Sequence, residues 1–187
     1  EGAYVVKEEN QGYGFALRRG LQEAVGDYIV LSEPDGTFQA KDIKRLLSHM
    51  HSYDMVCGTR TNPSYFTKEA NMGLFLRFGN IFVAKLIQLL HNTNSLSDCG
   101  CTFRVLRKDL VKKLVTKFTV GGQHFLSELV VLTALLRSSM FETPVHYGKR
   151  VGRSKITGSL KTSILVGLRM IGVILSYKLF GENKFFR

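Results

Sequence analysis

Two carboxylates, Glu33 and Asp35, stand two residues apart in the segment 28–38, YIVLSEPDGTF. An apolar run delivers them into a Pro-Asp-Gly turn, and in extended backbone that spacing sets both side chains on one side. Oxygen ligands from one or two carboxylates, completed by phosphate and water, are what Mg2+ or Mn2+ takes from proteins. A cation held there would act as a Lewis acid on a leaving diphosphate. Pro and Gly beside Asp also make an ordinary turn, so spacing alone leaves that plainer reading open.

The charge balance suits such chemistry. The 187 residues carry 26 Lys and Arg against 15 Asp and Glu, a net charge of +11. An excess of that size favours phosphates, nucleic acid or an acidic membrane surface, although it also serves solubility. The basic residues recur singly or in short clusters: Arg18-Arg19, Lys112-Lys113, and Arg150, Arg153 and Lys155. Without a basic arm or aromatics interleaved with cations on one strand, no nucleic-acid partner is expected. Cys57, Cys99 and Cys101 are too few for a disulfide framework, and Cys99-Gly100-Cys101 lacks the second pair of a zinc site. Reduced thiols fit a cytosolic setting. His49 and His51, two apart on an expected helix, fall on different faces and read as surface residues.

The elements that must position these groups alternate. Tyr4-Val5-Val6 reads as a strand, Gly14 to Ala24 as a helix, and Asp27 to Leu31 as an apolar strand. A helix is expected over 41–50, a strand over 54–58, and the most secure helix over 72–90. Strand-like residues follow at 101–106, then helices at 108–116 and 124–136. The last strand, 140–147, is interrupted by Pro144, which argues for an edge or a strand end. This alternation predicts an α/β layered domain with a mostly parallel sheet, whose ligands bind beyond the carboxyl ends of strands. From Ser163 to Leu175 the chain is apolar apart from Ser163 and Arg169, between Lys161 and Lys178. It falls short of an unbroken spanning helix; a membrane-interface helix and a core helix fit it equally. The chain is thus divided at 157, into a domain over 1–157 and a helix over 158–187. No signal-peptide pattern opens it.

Further motifs stand in order along the chain. Asn10-Gln11-Gly12-Tyr13-Gly14 precedes a short helix, then Gly26-Asp27-Tyr28, the apolar strand and the acidic pair. Gly58-Thr59-Arg60, Asn80, Asp98-Cys99-Gly100-Cys101-Thr102-Phe103-Arg104, Pro144-Val145, and Arg150, Gly152, Ser154 and Lys155 follow. Over residues 10 to 155 this order resembles family 2 glycosyltransferases, especially the polyprenyl-phosphate (dolichyl-phosphate) sugar transferase branch. The resemblance implies a Rossmann-like GT-A nucleotide-diphospho-sugar transferase fold. It also implies that two strand–helix units precede residue 1, so that the chain is N-terminally incomplete.

The resemblance assigns roles residue by residue. Glu33 and Asp35 would hold Mg2+ or Mn2+, Glu33 standing where the family more often has Asp. Thr37 occupies a place where the family often has Gln. Arg60, Arg104, Arg150 and Lys155 would hold donor and acceptor phosphates, Arg bidentately and Lys as a point charge. Asn10, Gly12 and Gly14 would form the donor-binding loop, with Gly12 and Gly14 open to a plain turn role. Asp98 and Ser154 belong to the matched loops. Glu128 resembles in position the base of hydroxyl-directed relatives and is equally readable as a capping or surface residue; an acceptor phosphate needs no base. The Gln-x-x-Arg-Trp element of processive synthases is absent. The implied reaction is metal-dependent, inverting transfer from a nucleotide-diphosphate sugar to a polyprenyl phosphate or other lipid-linked acceptor. The implied setting is peripheral, at an anionic membrane surface on its cytoplasmic side. A glycosyltransferase acting on a saccharide hydroxyl, and a truncated non-catalytic remnant that binds lipid or a partner, are the alternatives.

Overall fold

Among the described residues four short β-branched and apolar runs meet in one sheet. The computed structural model describes residues 2–65, 73–152 and 160–185. Strands β1 (Tyr28–Leu31), β2 (Met55–Thr59), β3 (Arg104–Arg107) and β4 (Met140–Pro144) lie in the order β1-β3-β2-β4. Ile29 and Leu31 point inward while Tyr28 faces out, the period-two pattern of an edge strand. β2 is buried along its whole length, as an interior strand must be. Pro144 closes β4, and β4 is an edge, so its missing N–H disrupts no ladder.

The sheet is mixed, which corrects the expectation of a mostly parallel one. β3 runs antiparallel to both neighbours, with Ile29 opposite Leu106 and Val56 opposite Val105. Only β2 and β4 are parallel, with Val56 opposite Phe141. The cause is the connection. After helix α3 (Leu74–His91) the chain returns through the 92–103 loop and enters β3 beside the end of β2, with Arg104 opposite Cys57.

Tyr4-Val5-Val6 is not a strand: among the described residues it has no sheet partner, and Tyr4 and Val5 are 91% exposed. A β-branched run without a ladder has nothing to hold it extended. The 101–103 segment, expected as strand, is a buried loop leading into β3.

Helices cover the sheet. α1 (Tyr13–Glu23), α4 (Lys108–Leu114) and α5 (Phe125–Leu135) join β1 and β3 in the larger core, built around Leu21, Leu106, Leu114, Phe125 and Leu129. α5 is buried from Phe125 to Thr133, apolar nearly all round as a central helix must be. α2 (Asp42–Ser48) covers a smaller core of Leu46, Met50, Val56, Phe103 and Val105.

The last helix, α6 (Leu160–Phe185), is longer than the apolar stretch 163–175 suggests. Val166, Met170, Ile174 and Tyr177, at helical spacing, enter the larger core against α3 and α5. Its other sides leave Leu160, Leu168, Leu179 and Phe180 exposed. α3 is built similarly: Val83, Ala84 and Ile87 pack inward while Phe75, Phe78 and Phe82 are exposed. By length and composition, Leu74–His91 and Leu160–Gly181 could each cross a membrane.

Candidate functional site

β1 ends at Leu31, and the next turn presents Glu33 and Asp35. Gly36, at φ +78°, supplies the left-handed residue this turn requires. The Thr37 amide and hydroxyl then donate to Asp35 Oδ1 at 3.0 and 2.6 Å. Thr37 is buried and orients Asp35. Burial alone would push the Asp35 carboxyl up, but the bonds from Thr37, Glu33 beside it and the Arg150 charge hold it below the ordinary range. Glu33 Oε1 accepts the Thr102 hydroxyl at 2.7 Å, with the Tyr13 hydroxyl at 3.4 Å.

The remaining oxygen of each carboxylate meets one cation. Arg150 Nη2 lies 2.5 Å from Glu33 Oε2 and 2.8 Å from Asp35 Oδ2. Asp35 Oδ2 is buried and has no aligned hydrogen bond, so its contact with Arg150 is one of charge. Arg150 is brought there by backbone pairing: Val151 N donates to Asp35 O at 2.8 Å, Gly148 N to Thr37 O at 2.9 Å, and Phe38 bridges Tyr147. Among the described residues no group of three His, Cys, Asp or Glu side chains converges. Two carboxylates with a buried, unbonded oxygen fit a hard divalent cation that completes its shell with phosphate and water.

Arg60 follows β2 and is held by a bidentate pair with Asp98, at 2.8 and 2.9 Å, plus its own amide at 3.0 Å. Asp98 is buried; burial raises its pKa, but the Arg60 charge and hydrogen bonds outweigh this and hold it low. Glu142 on β4 fixes the loop from behind, accepting the amides of Ser97 and Asp98 at 2.8 and 3.0 Å. Gly100 lets these side chains come close: a Cβ would lie 2.6 Å from Asn80 Oδ1 and 3.2 Å from Arg60 Nη2, so those ends would have to shift. The Arg60 guanidinium also faces the Tyr147 ring at 5.3 Å.

Glu33, Arg60, Arg150, Tyr13 and Thr102 line a cavity of about 340 Å³. Phe75, Phe82 and Val83 of α3, and Ile164, Leu168 and Met170 of α6, line it too. The cavity thus combines charged and hydroxyl groups with apolar side chains of the two long helices.

Several residues singled out in the sequence lie elsewhere. Arg104, expected at a phosphate, is 0% exposed; its Nε and Nη2 donate to the carbonyls of Cys101 and Cys99 at 2.7 and 2.5 Å. It staples the loop it follows and does not line the cavity. Glu128, expected as a base, is also 0% exposed. It accepts Thr119 N, Thr119 Oγ1, Val120 N and the Tyr177 hydroxyl at 2.6 to 3.0 Å. It ties α5 to α6 and is neither a cap nor a surface group.

Gly12 and Gly14 serve packing: added Cβ atoms would lie 2.4 Å from Gly121 O and 2.8 Å from Gly121 C, where the backbones of α1 and the 121 turn cross. Asn10 is exposed and bonds to Glu8. Ser154 and Lys155 lie outside the described residues. The thiols of Cys57, Cys99 and Cys101 are buried and free, pushed up by burial to about 11, 12 and 12. Tyr13, Thr102 and Tyr147 were not singled out. Tyr13 and Thr102 sit inside the matched motifs, one hydroxyl each at positions that face the acidic pair.

Residues 2–115 match the family model of glycosyl transferase family 2. The chain is 25% identical over 157 residues to a low-salt glycan biosynthesis hexosyltransferase of Haloferax volcanii, covering 83% of this chain and 37% of that one. It is 27% identical over 157 residues to a dolichyl-phosphate hexose transferase of the same organism, covering 83% and 65%. It therefore spans less than two thirds of either relative. Its fold is shared with Mycobacterium tuberculosis glucosyl-3-phosphoglycerate synthase, crystallised with Mn2+, UDP and glucosyl-3-phosphoglycerate. The TM-score is 0.62 at 15% identity, over 91% of this chain and 56% of that one.

Proposed function

The chain belongs to glycosyltransferase family 2, and from that premise we propose that it serves sugar transfer from a nucleotide-diphosphate sugar to a polyprenyl phosphate or similar lipid-linked acceptor. The observation that carries this reading is the cavity lined both by Glu33, Arg60 and Arg150 and by apolar side chains of α3 and α6. A ligand with an anionic head and a hydrocarbon tail matches that mixed lining.

Glu33 and Asp35 would hold Mg2+ or Mn2+, whose chemistry is to neutralise the leaving diphosphate. Thr37 and Thr102 each fix one oxygen of a carboxylate, and the other oxygen of each meets Arg150. Arg60, clamped by Asp98, offers its guanidinium to phosphate oxygens. In the transfer an acceptor phosphate oxygen forms a bond to the anomeric carbon as the bond to the diphosphate oxygen breaks, with inversion. The nucleoside diphosphate leaves. No proton need be removed from such an acceptor, which agrees with Glu128 being sealed in the core.

The exposed Phe75, Phe78 and Phe82 and the exposed leucines of α6 would rest on a membrane surface, aided by the net positive charge. Free thiols and positive charge suit the cytoplasmic side. The test is incubation of the purified protein with UDP- and GDP-sugars, Mn2+, and either a polyprenyl phosphate or a free oligosaccharide. Product on the phosphate alone is the expected result; product only on the saccharide would reject the lipid acceptor.

A further inference from the structure

Arg150 contacts the same two carboxylates that would hold a divalent cation. Its single nitrogen Nη2 reaches both carboxylates, at Glu33 Oε2 and Asp35 Oδ2. The other two oxygens are engaged: Glu33 Oε1 by Thr102 and Tyr13, Asp35 Oδ1 by Thr37. A divalent cation held by Glu33 and Asp35 would therefore compete with the Arg150 guanidinium for the charge of this pair. We propose that Arg150 is an exchangeable counter-ion, which neutralises the acidic pair until a divalent cation with a nucleoside diphosphate displaces it, and then turns to the diphosphate. The proposal rests on the metal reading above.

Two observations make the exchange feasible. The backbone of 147–151 is held to 35–38 by the Val151–Asp35 and Gly148–Thr37 hydrogen bonds, neither of which involves the guanidinium. The side chain can leave without undoing the loop. It is also 30% exposed and lines the cavity, so it has room to move toward a ligand there. Charge agrees as well. One arginine leaves the carboxylate pair a net negative charge, which attracts a dication. Once the dication is bound, the guanidinium loses its partner and meets an anionic diphosphate, which it can hold bidentately.

The experiment is Mn2+ binding, followed by paramagnetic resonance and calorimetry, in the wild type, Arg150→Gln and Arg150→Lys, each with and without UDP or GDP. Removing the competing guanidinium should tighten Mn2+ binding without nucleotide on the order of ten-fold. The nucleotide should then enhance Mn2+ binding less than it does in the wild type. Arg150→Lys, a point charge, should fall between. Equal or weaker Mn2+ binding by Arg150→Gln, with an unaltered thermal melt, would overturn the exchange while leaving the metal site standing. If no variant and no nucleotide gives Mn2+ binding, the metal reading itself fails and the exchange with it.

Discussion

Replacing Glu128 by Gln separates a structural carboxylate from a catalytic one. Glu128 Oε1 accepts three hydrogen bonds, from Thr119 N, Thr119 Oγ1 and the Tyr177 hydroxyl, and Oε2 accepts Val120 N at 3.0 Å. With the amide oxygen placed at Oε1, the new NH2 faces the Val120 N–H, donor against donor. That buried amide loses its only acceptor, at a cost of about 2 kcal/mol. For a protein of this size each kcal/mol moves the melting temperature by roughly 2–4 °C, so a fall of about 4–8 °C is expected. Tyr177→Phe removes the hydroxyl that donates to Glu128 without setting donor against donor, and its melt should fall by less. Both are read by thermal melts monitored by circular dichroism, alongside transfer activity at 15 °C, where the variants remain folded. Activity per folded molecule should stay close to wild type. A Glu128→Gln protein that melts like the wild type but has lost transfer would refute the structural role and restore Glu128 as a base.

Other perturbations address the rest of the site. Gly12→Ala drives a Cβ to 2.4 Å from Gly121 O, so stability should fall by about 1–3 kcal/mol in urea unfolding, with UDP affinity unchanged; intact stability with lost nucleotide binding would mean a ligand role. Asp98 has its carboxyl held below 3.8 by Arg60 despite burial, so its stabilisation is complete above that value and lost as pH falls through the lowered one. The urea midpoint of the wild type should therefore exceed that of Asp98→Asn at neutral pH, the gap narrowing below pH 3.8; a constant gap would contradict the pairing. Phe78→Ser with Phe82→Ser, at side chains 66% and 59% exposed, should weaken co-sedimentation with anionic vesicles by roughly ten-fold or more without shifting the melt. Unchanged sedimentation would remove α3 from the membrane face.

Periodicity made the elements readable because each is local. The helices at Tyr13–Glu23 and Phe125–Leu135 and the strand at Tyr28–Leu31 stand within a residue or two of expectation. The direction of β3 was not readable, since it depends on where a loop closed by Arg60, Asp98 and Glu142 returns the chain. Tyr4-Val5-Val6 has the composition of a strand, but pairing is supplied by a neighbour and not by composition. In the site, the motif order brought Glu33, Asp35, Arg60 and Arg150 to notice; Glu33, Arg60 and Arg150 line one cavity, and Asp35 meets Arg150 beside it. Residue type alone could not distinguish Arg150, which faces that cavity, from Arg104, whose head is spent on the carbonyls of Cys99 and Cys101. Glu128 misled for the same reason, while Gly12 stood open between a turn and a donor loop. A carboxylate or a glycine serves packing as well as chemistry, and only the atoms around it decide.

If Asp35 and Glu33 hold a divalent cation, sugar transfer should depend on both the cation and Asp35. The most direct test is transfer to polyprenyl phosphate by the wild type and Asp35→Asn across a Mn2+ titration, with circular dichroism to verify folding. Loss of cation-stabilised charge in the transition state costs several kcal/mol, so Asp35→Asn should be slower by roughly a hundred-fold or more at every Mn2+ concentration. A folded Asp35→Asn protein with the Mn2+ dependence and rate of the wild type would contradict the account.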